Sequence, residues 1–132
     1  MINTLLINSS LPPAIIVHGL ADVRLARRPA RPVTLLSAPG AGLSWGCAWW
    51  RELLTAGGHE GPALLDCAGA PGRAAEALAA GLAGVILAPC PAWDEVAALA
   101  RHKGALLRAS APPALDLRLS GAEKRLLPWL GG

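Results

Sequence analysis

Phenylalanine and tyrosine are both absent from this 132-residue chain, and five tryptophans supply all of its large aromatic side chains. A core without Phe and Tyr has to be built from Leu, Val, Ile and Ala, with tryptophan as the large filler. Hydrophobic residues make up 53% of the chain. A domain of this length buries enough apolar surface to be stable without a metal or a disulfide.

An uninterrupted hydrophobic run long enough to span a membrane is also missing. Residues 77–93 carry no charge, but two glycines and two prolines divide them into a helix end and a short strand. The amino terminus has no basic region before its apolar residues, and a Pro-Pro pair interrupts them. We therefore expect neither a membrane span nor a secretory signal peptide.

Cysteine is scarce and shows no pairing pattern. The chain has an odd number of cysteines, namely Cys47, Cys67 and Cys90, and their spacing does not match that of a metal site. Reduced thiols in the cytoplasm are the expectation, with no metal and no cofactor.

Charge of either sign is limited, with 12 basic and 9 acidic residues and a net charge of +3. The one basic concentration consists of Arg24, Arg27, Arg28 and Arg31. A solvated basic face is the favoured interpretation, and a phosphate-binding patch is the alternative. Stacking aromatics are not interleaved with these arginines, so a nucleic-acid partner is not expected.

Short apolar strands alternate with helical segments along the rest of the chain. The predicted strands cover residues 14–17, 33–36, 63–67, 85–88 and 105–108. This alternation is typical of parallel strands joined by right-handed crossovers, and predicts an α/β fold with about five strands. Residues 115–119 alternate and predict a last edge strand or an extended tail, and a capping box from Ser120 to Glu123 predicts a final helix.

One domain over residues 1–132 follows from the length, with residues 1–13 as an edge strand or a loose tail. An open three-layer sheet of the Rossmann or flavodoxin type is the favoured architecture. A complete (βα)-barrel needs roughly 250 residues. Half of such a barrel, paired with another copy, is the alternative.

The carboxyl ends of parallel strands are where α/β proteins bind ligands. In this sequence those ends carry His18, Ser37 with Gly40 and Gly42, Asp66 with Cys67, Cys90, and Arg108 with Ser110. Ser37, Gly40, Gly42, Asp66 and Arg108 are the predicted ligand-binding residues. The alternative is that they are ordinary turn residues.

The glycine-rich turn from Gly40 to Gly46 follows a strand and opens a helix, a context in which backbone N–H groups hold phosphate. Its third glycine comes one residue later than in the dinucleotide fingerprint, and a P-loop lysine is missing. An ordinary turn is therefore the alternative. Asp66, at the end of the next strand, is the candidate for orienting a hydroxyl or an amine.

Catalytic candidates are few. Residues 42–46 match the G-x-S-x-G elbow, but Ser44 is expected to cap the following helix. Cys67 and Cys90 precede helices, where a thiol pKa can be lowered, and Asp66 lies beside them. Buried structural cysteines are the alternative. Because no lysine stands at a strand end, Schiff-base chemistry is not expected.

Trp45, Trp49 and Trp50 are crowded onto one predicted helix. One helix of so small a protein can hardly bury all three, so a partly exposed apolar patch is expected. We predict a homodimer or a higher oligomer formed through these residues.

The segments PVTLLSAPGAG and ALLDCAGAPGRAAEALAAGLAGVIL resemble a small bacterial α/β family without an assigned activity. The resemblance covers most of the chain and implies no catalytic residue. Taken together, the sequence predicts a small cytoplasmic protein that binds a small anionic ligand at the strand ends. The alternatives are a homo-oligomeric interaction module without such a site, and a hydrolase-like or lyase-like enzyme.

Overall fold

A computed structural model describes residues 11–131 of the chain. The strands are β1 (Ala14–Val17), β2 (Thr34–Ser37), β3 (Ala63–Asp66), β4 (Gly84–Ile86), β5 (Leu106–Arg108) and β6 (Ala114–Asp116). The helices are α1 (Leu20–Arg27), α2 (Ala41–Ser44), α3 (Gly46–Ala56), α4 (Pro71–Ala79), α5 (Trp93–Lys103) and α6 (Ala122–Trp129). This alternation confirms the predicted α/β class.

The six strands form one sheet in the order β5-β4-β3-β2-β1-β6, and every neighbouring pair is parallel. From β1 to β5 each strand is added beside the previous one. The chain then returns, and β6 pairs with the free side of β1. The predicted last edge strand is thus confirmed, and β5 and β6 are the two edges, as in an open sheet.

The amino-terminal prediction is covered only in part. Residues 1–10 lie outside the described residues, and residues 11–13 belong to no strand. They are nevertheless attached to β2, because Thr34 donates its hydroxyl to the Pro12 carbonyl at 2.8 Å and its N–H to the Pro13 carbonyl at 2.9 Å.

Two capping predictions are wrong. Ser44 is the last residue of α2, and the N-cap of α3 is Trp45, without a side-chain capping bond. The N-cap of α6 is Gly121 rather than Ser120, again without a capping bond. Gly121 has a φ of 78°, which is unstrained only for glycine, so the backbone turns one residue later than the capping box required.

The helices pack against one face of the sheet. That face carries Ile15, Val17, Leu35, Leu65, Val85 and Leu115, and the helical residues packed with it include Val23, Trp50, Leu78, Val96 and Leu126. Right-handed crossovers that step in one direction from β1 to β5 place their helices on one side. The main hydrophobic core is the layer between this face and the helices.

The opposite face, which we call the inner face, carries the alternate strand residues. Its cluster is formed by Leu36, Leu64 and Ile86, with Ile16, Leu106, Ala114 and Leu11 packed against it. No helical residue within 11–131 belongs to this cluster. The three central side chains are nevertheless no more than 4% exposed.

The sheet must be curled toward this inner face. Six residue steps lead from Arg108 to Ala114, and an extended chain covers at most about 22 Å in six steps. A flat sheet would hold β5 and β6 about 24 Å apart, before the connection had run back along the strands. Ala114 of β6 also packs against the inner-face cluster, two or more strands away. The two edges therefore approach each other, a feature shared with the half-barrel alternative.

Candidate functional site

Charged side chains are distributed unevenly over the molecule. All lysines, arginines, aspartates and glutamates are exposed except four, which are half-buried: Asp22, Asp66, Arg108 and Asp116. Asp66, Arg108 and Asp116 are the last residues of β3, β5 and β6, and Asp22 lies in the first turn after β1. All four thus lie at the carboxyl edge, by which we mean the edge of the sheet where its parallel strands end.

Asp66 and Arg108 share one row of the inner face. Asp66 is in register with Ile86, and Ile86 is in register with Arg108. Residues in register project to the same face, so the two charged side chains flank Ile86. Their Cα atoms are two strand spacings apart, roughly 10 Å. The apolar Ile86 side chain forms a floor between a carboxylate and a guanidinium.

Arg108 is the polar residue whose environment is least complete. Its Nε atom is buried and has no hydrogen-bond partner among residues 11–131. A buried N–H without an acceptor costs about 1–3 kcal/mol, and more when the donor is charged. A ligand with an anionic oxygen would supply the missing acceptor.

Asp66 is held by its own loop. One carboxylate oxygen, Oδ1, accepts the Ala68 N–H at 2.8 Å, and the Asp66 N–H donates to the Ser37 hydroxyl at 2.9 Å. Ala68 has a φ of 50°, so the turn is tight. This arrangement fixes Asp66 while leaving its second carboxylate oxygen without a partner in the described part of the chain.

His18 and Asp116 form a pair at the same edge, where β1 and β6 are neighbours. The His18 Nε2 and Asp116 Oδ1 atoms are 2.6 Å apart, and the side chains are 13% and 28% exposed. Asp116 Oδ1 also accepts the Arg118 N–H at 2.9 Å, and the His18 N–H donates to Asp22 Oδ2 at 2.8 Å. Burial opposes ionisation of Asp116, but the bonds from Arg118 and His18 outweigh it and lower the pKa of Asp116.

Sequence reasoning placed His18 at a strand end but missed Asp116. The two residues are 98 positions apart, and they meet because β6 pairs with β1 rather than with β5. The alternation of residues 115–119 was the available indication that Asp116 ends a strand. Nothing local to the sequence indicates which strand lies beside it.

The glycine-rich turn has little left to offer an anion. The Ala41 N–H donates to the Ala38 carbonyl, and the N–H groups of Leu43 and Ser44 donate to the Gly40 carbonyl. The helix α2 that follows has four residues, too few for a substantial dipole. Ser37 is 1% exposed, and its hydroxyl bonds the Ala38 carbonyl and the Asp66 N–H.

Gly40 and Gly42 have backbone and packing roles in this turn. Gly40 adopts a φ of 72°, which favours glycine. A Cβ on Gly42 would lie 2.9 Å from the Asp66 carbonyl oxygen and 3.0 Å from Cys67 Sγ. The missing side chain of Gly42 therefore lets α2 approach the end of β3 and supports the Asp66 loop.

The cysteines are free thiols: Cys67 is buried, and Cys47 and Cys90 are half-buried. Burial, followed by the nearby charge of Asp66, raises the pKa of Cys67 to about 12. Cys67 is therefore a protonated core residue rather than a nucleophile. Both lysines, Lys103 on α5 and Lys124 on α6, are exposed and lie away from the strand ends.

The three tryptophans have different surroundings. Trp50 is 1% exposed and belongs to the core, so it has almost no surface for a partner. Trp45 is 67% exposed, and its ring centroid lies 5.8 Å from that of the half-buried Trp49. Leu43 beside them is also exposed. An apolar patch is therefore present on α2 and α3, built from Leu43, Trp45 and Trp49.

Two grooves lie away from the inner face. One, of about 350 Å³, lies at the opposite, amino edge of the sheet and is lined by Arg27, Arg31, His59 and Pro62 among others. The other, of about 690 Å³, lies between α1 and residues 117–124. Neither is lined by Asp66, Arg108 or Asp116. Between residues 11 and 131, no cluster of three or more His, Cys, Asp or Glu side chains could hold a metal ion.

The fold and the carboxyl edge described above are those of a small α/β protein whose parallel sheet carries its half-buried charges at the strand ends. No known family model matches the chain, and neither a curated protein nor a solved structure matches it. The resemblance to a bacterial family therefore stays a prediction. None of the helices within residues 11–131 has the length and hydrophobicity needed to cross a bilayer.

Proposed function

We propose that this protein binds a small anionic ligand at the carboxyl edge, with Arg108 as its anchor. The observation that carries the proposal is the buried Arg108 Nε atom without an acceptor. Parallel α/β sheets bind their ligands at this edge. Elsewhere in the described chain arginines and lysines are exposed, where water satisfies them.

The neighbouring residues limit the shape of the ligand. Its anionic group would accept from Arg108, its middle would lie on Ile86, and a hydroxyl or amine would donate to the free oxygen of Asp66. The roughly 10 Å between the Asp66 and Arg108 Cα atoms leaves room for only a few heavy atoms. A small hydroxy acid or amino acid, or a phosphorylated compound of similar size, meets these requirements.

The test is a thermal-shift screen of the purified protein against small carboxylates, amino acids and sugar phosphates. A ligand at a hundredfold excess over its Kd stabilises the native state by about 2.7 kcal/mol. We expect a stabilising anion whose effect is lost in Arg108→Gln and retained in Arg101→Gln, a matched control on the exposed side of α5. A flat screen, or a shift that survives Arg108→Gln, would contradict the proposal.

A second candidate function, homo-oligomerisation, is favoured by the exposed Trp45. The patch of Leu43, Trp45 and Trp49 has Arg51 and Glu52 beside it, both exposed. Two copies related by a twofold axis would bury the indoles and could bring Arg51 of each copy near Glu52 of the other. Sedimentation velocity at micromolar concentration tests this: Trp45→Lys should yield monomers, and a wild-type monomer would exclude the dimer.

The proposal also covers the location of the protein and its partners. A cytoplasmic location is supported by three thiols that are free in the structure. A nucleic-acid partner is not proposed, because Arg24, Arg27, Arg28 and Arg31 are exposed and residues 20–31 contain no tryptophan.

A further inference from the structure

A concave surface lies between α1 and α6. It consists of two neighbouring grooves, of about 690 Å³ and about 460 Å³. Leu25 of α1 and Glu123 of α6 line both grooves, so the two are continuous, and we call them together the α1–α6 trough. Neither Asp66 nor Arg108 lines the trough. It is therefore a different surface from the proposed anion site.

The floor of the trough is apolar and partly open to solvent. Leu25 and Leu117 are half-buried and pack against the core, whereas Leu119 and Leu127 are 55% and 45% exposed. All four line the trough. Because α6 turns Leu126 into the core, at 4% exposure, the next residue, Leu127, is left outside it. Exposed leucines that gather in a concave surface are typical of a protein-binding groove.

The helices that border the trough carry the positive charge of the protein. Residues 20–31 and 122–129 contain six of the twelve basic residues of the chain and two of its nine acidic residues. The rest of the chain has six basic and seven acidic residues. The net charge of +3 is therefore concentrated on α1, the turn after it, and α6.

The charges that line the trough are unequally paired. Of its acidic residues, Asp22 accepts the His18 N–H, and Glu123 lies 3.8 Å from an Nη atom of Arg28. Of its basic residues, Arg31 and Lys124 form no ion pair with any residue between 11 and 131. The charges left for a partner are thus basic.

We propose that the α1–α6 trough binds an acidic amphipathic helix of a partner protein. Such a helix places apolar side chains at i, i+3 or i+4 and i+7 into an apolar groove and keeps its charged side chains at the rim. The eight residues of α1, and likewise of α6, span about 12 Å, the length of about two helical turns. Two or three apolar anchors would contact the leucines, and Asp or Glu beside them would pair with Arg31 and Lys124.

The same observations disfavour other occupants. A flat bilayer would contact the exposed leucines but would not reach the half-buried Leu25 and Leu117 in the floor. A second copy that presented the same surface would oppose one basic surface with another. Nucleic acid would pair with the basic residues and leave the apolar floor unused.

Peptide selection tests the inference without a known partner. Random peptides of roughly 16 residues, about four helical turns, are displayed on phage and selected on the purified full chain. We expect enrichment of peptides that are rich in Asp and Glu and carry apolar residues at i, i+3 or i+4 and i+7. The most enriched peptide is then synthesised with a fluorescent label, and its Kd is measured by anisotropy.

Charge reversal tests the rim. Arg31→Glu combined with Lys124→Glu should raise the Kd of this peptide about tenfold and flatten its dependence on salt. Arg101→Glu combined with Lys103→Glu, at two exposed positions of α5, changes the net charge equally and should leave the Kd near that of the wild type.

Neutral substitutions test the floor. Leu119→Gln combined with Leu127→Gln should also raise the Kd about tenfold, with the salt dependence unchanged. Leu43→Gln, at a similarly exposed leucine of α2, is the control. Because all three leucines are exposed, the melting temperatures of these variants should stay close to that of the wild type, which separates loss of binding from loss of folding.

No enriched peptide, enriched peptides without acidic residues, or a Kd that neither double variant changes would overturn the inference. Two further outcomes would also overturn it by assigning the trough to another occupant. One is sedimentation with phosphatidylcholine–phosphatidylserine vesicles that Leu119→Gln with Leu127→Gln abolishes. The other is a dimer that the same variant dissociates. Anion binding at Arg108 has its own thermal-shift screen and does not depend on any of these results.

Discussion

The amino edge and the carboxyl edge of the sheet, where its parallel strands begin and end, use their polar groups differently. At the amino edge, side-chain donors are paired with nearby backbone carbonyls: Arg27 Nη1 bonds the Gly57 oxygen at 2.6 Å, and His59 Nε2 lies 3.0 Å from the Pro62 oxygen. At the carboxyl edge, carboxylates accept backbone N–H groups, and the buried Arg108 Nε is left over. The amino edge is therefore complete in itself, although it has a groove, whereas the carboxyl edge lacks an acceptor.

The comparison shows that the edge with a groove is not the edge with half-buried charges. The groove at the amino edge is lined partly by prolines, glycines and two exposed arginines, of which Arg27 is bonded to the Gly57 carbonyl. The carboxyl edge has half-buried charges fixed by local turns. Substitutions at each edge test this distinction.

The largest effect is expected where the carboxyl edge is most tightly packed. Gly42→Val adds atoms toward the Asp66 carbonyl and Cys67 Sγ, and should destabilise the fold by about 1–3 kcal/mol. Gly61→Ala at the amino edge would place a Cβ 3.2 Å from the His59 ring, which has to shift by only a few tenths of an ångström, and should change stability by less than about 1 kcal/mol. Urea unfolding of both variants measures the difference, and equal losses would remove this contrast.

A stabilising effect is expected at Arg108. Arg108→Met removes the unpartnered buried N–H and keeps most of the apolar stem, so the free energy of unfolding should rise by about 1 kcal/mol. Arg101→Met, on an exposed position of α5, should stay within about 0.5 kcal/mol of the wild type. Calorimetry of both variants without ligand decides the matter. A clearly lower melting temperature for Arg108→Met would mean that Arg108 is already satisfied.

The amino edge should show the opposite sign. Arg27→Gln loses the bond to the Gly57 carbonyl at the end of α3, and should reduce stability by about 1 kcal/mol. Ligand-induced thermal shifts should be the same as in the wild type. Arg24→Gln on the same helix, also exposed, is the control. A loss of ligand binding in Arg27→Gln would move the site to the amino edge.

The smallest effect is expected in how the free energy of unfolding depends on pH in acid. The pKa of Asp116 is lowered from its ordinary 3.8, so its contribution to stability is present above that value. The contribution is lost as the pH falls through the folded-state pKa. The gap in unfolding free energy between the wild type and Asp116→Asn should thus close below about pH 4. A gap that persists at pH 2 would exclude ionisation as its source.

Gly40→Val is not a clean test of ligand binding, because the φ of 72° at Gly40 strains any side chain. A loss of binding in that variant would report local misfolding as readily as a missing contact. Arg108→Gln avoids the problem, since it leaves the backbone unchanged.

The α/β class, the parallel strands and five of the six strand positions follow from the sequence, because the period of apolar residues and the glycine and proline breaks are local properties. The sequence also placed Asp66 and Arg108 at strand ends for the same reason. The return of β6 to β1, the curl of the sheet and the His18–Asp116 pair depend on contacts across about 100 residues. Local patterns do not encode strand order, so which charges meet and which one lacks a partner follows from the tertiary fold.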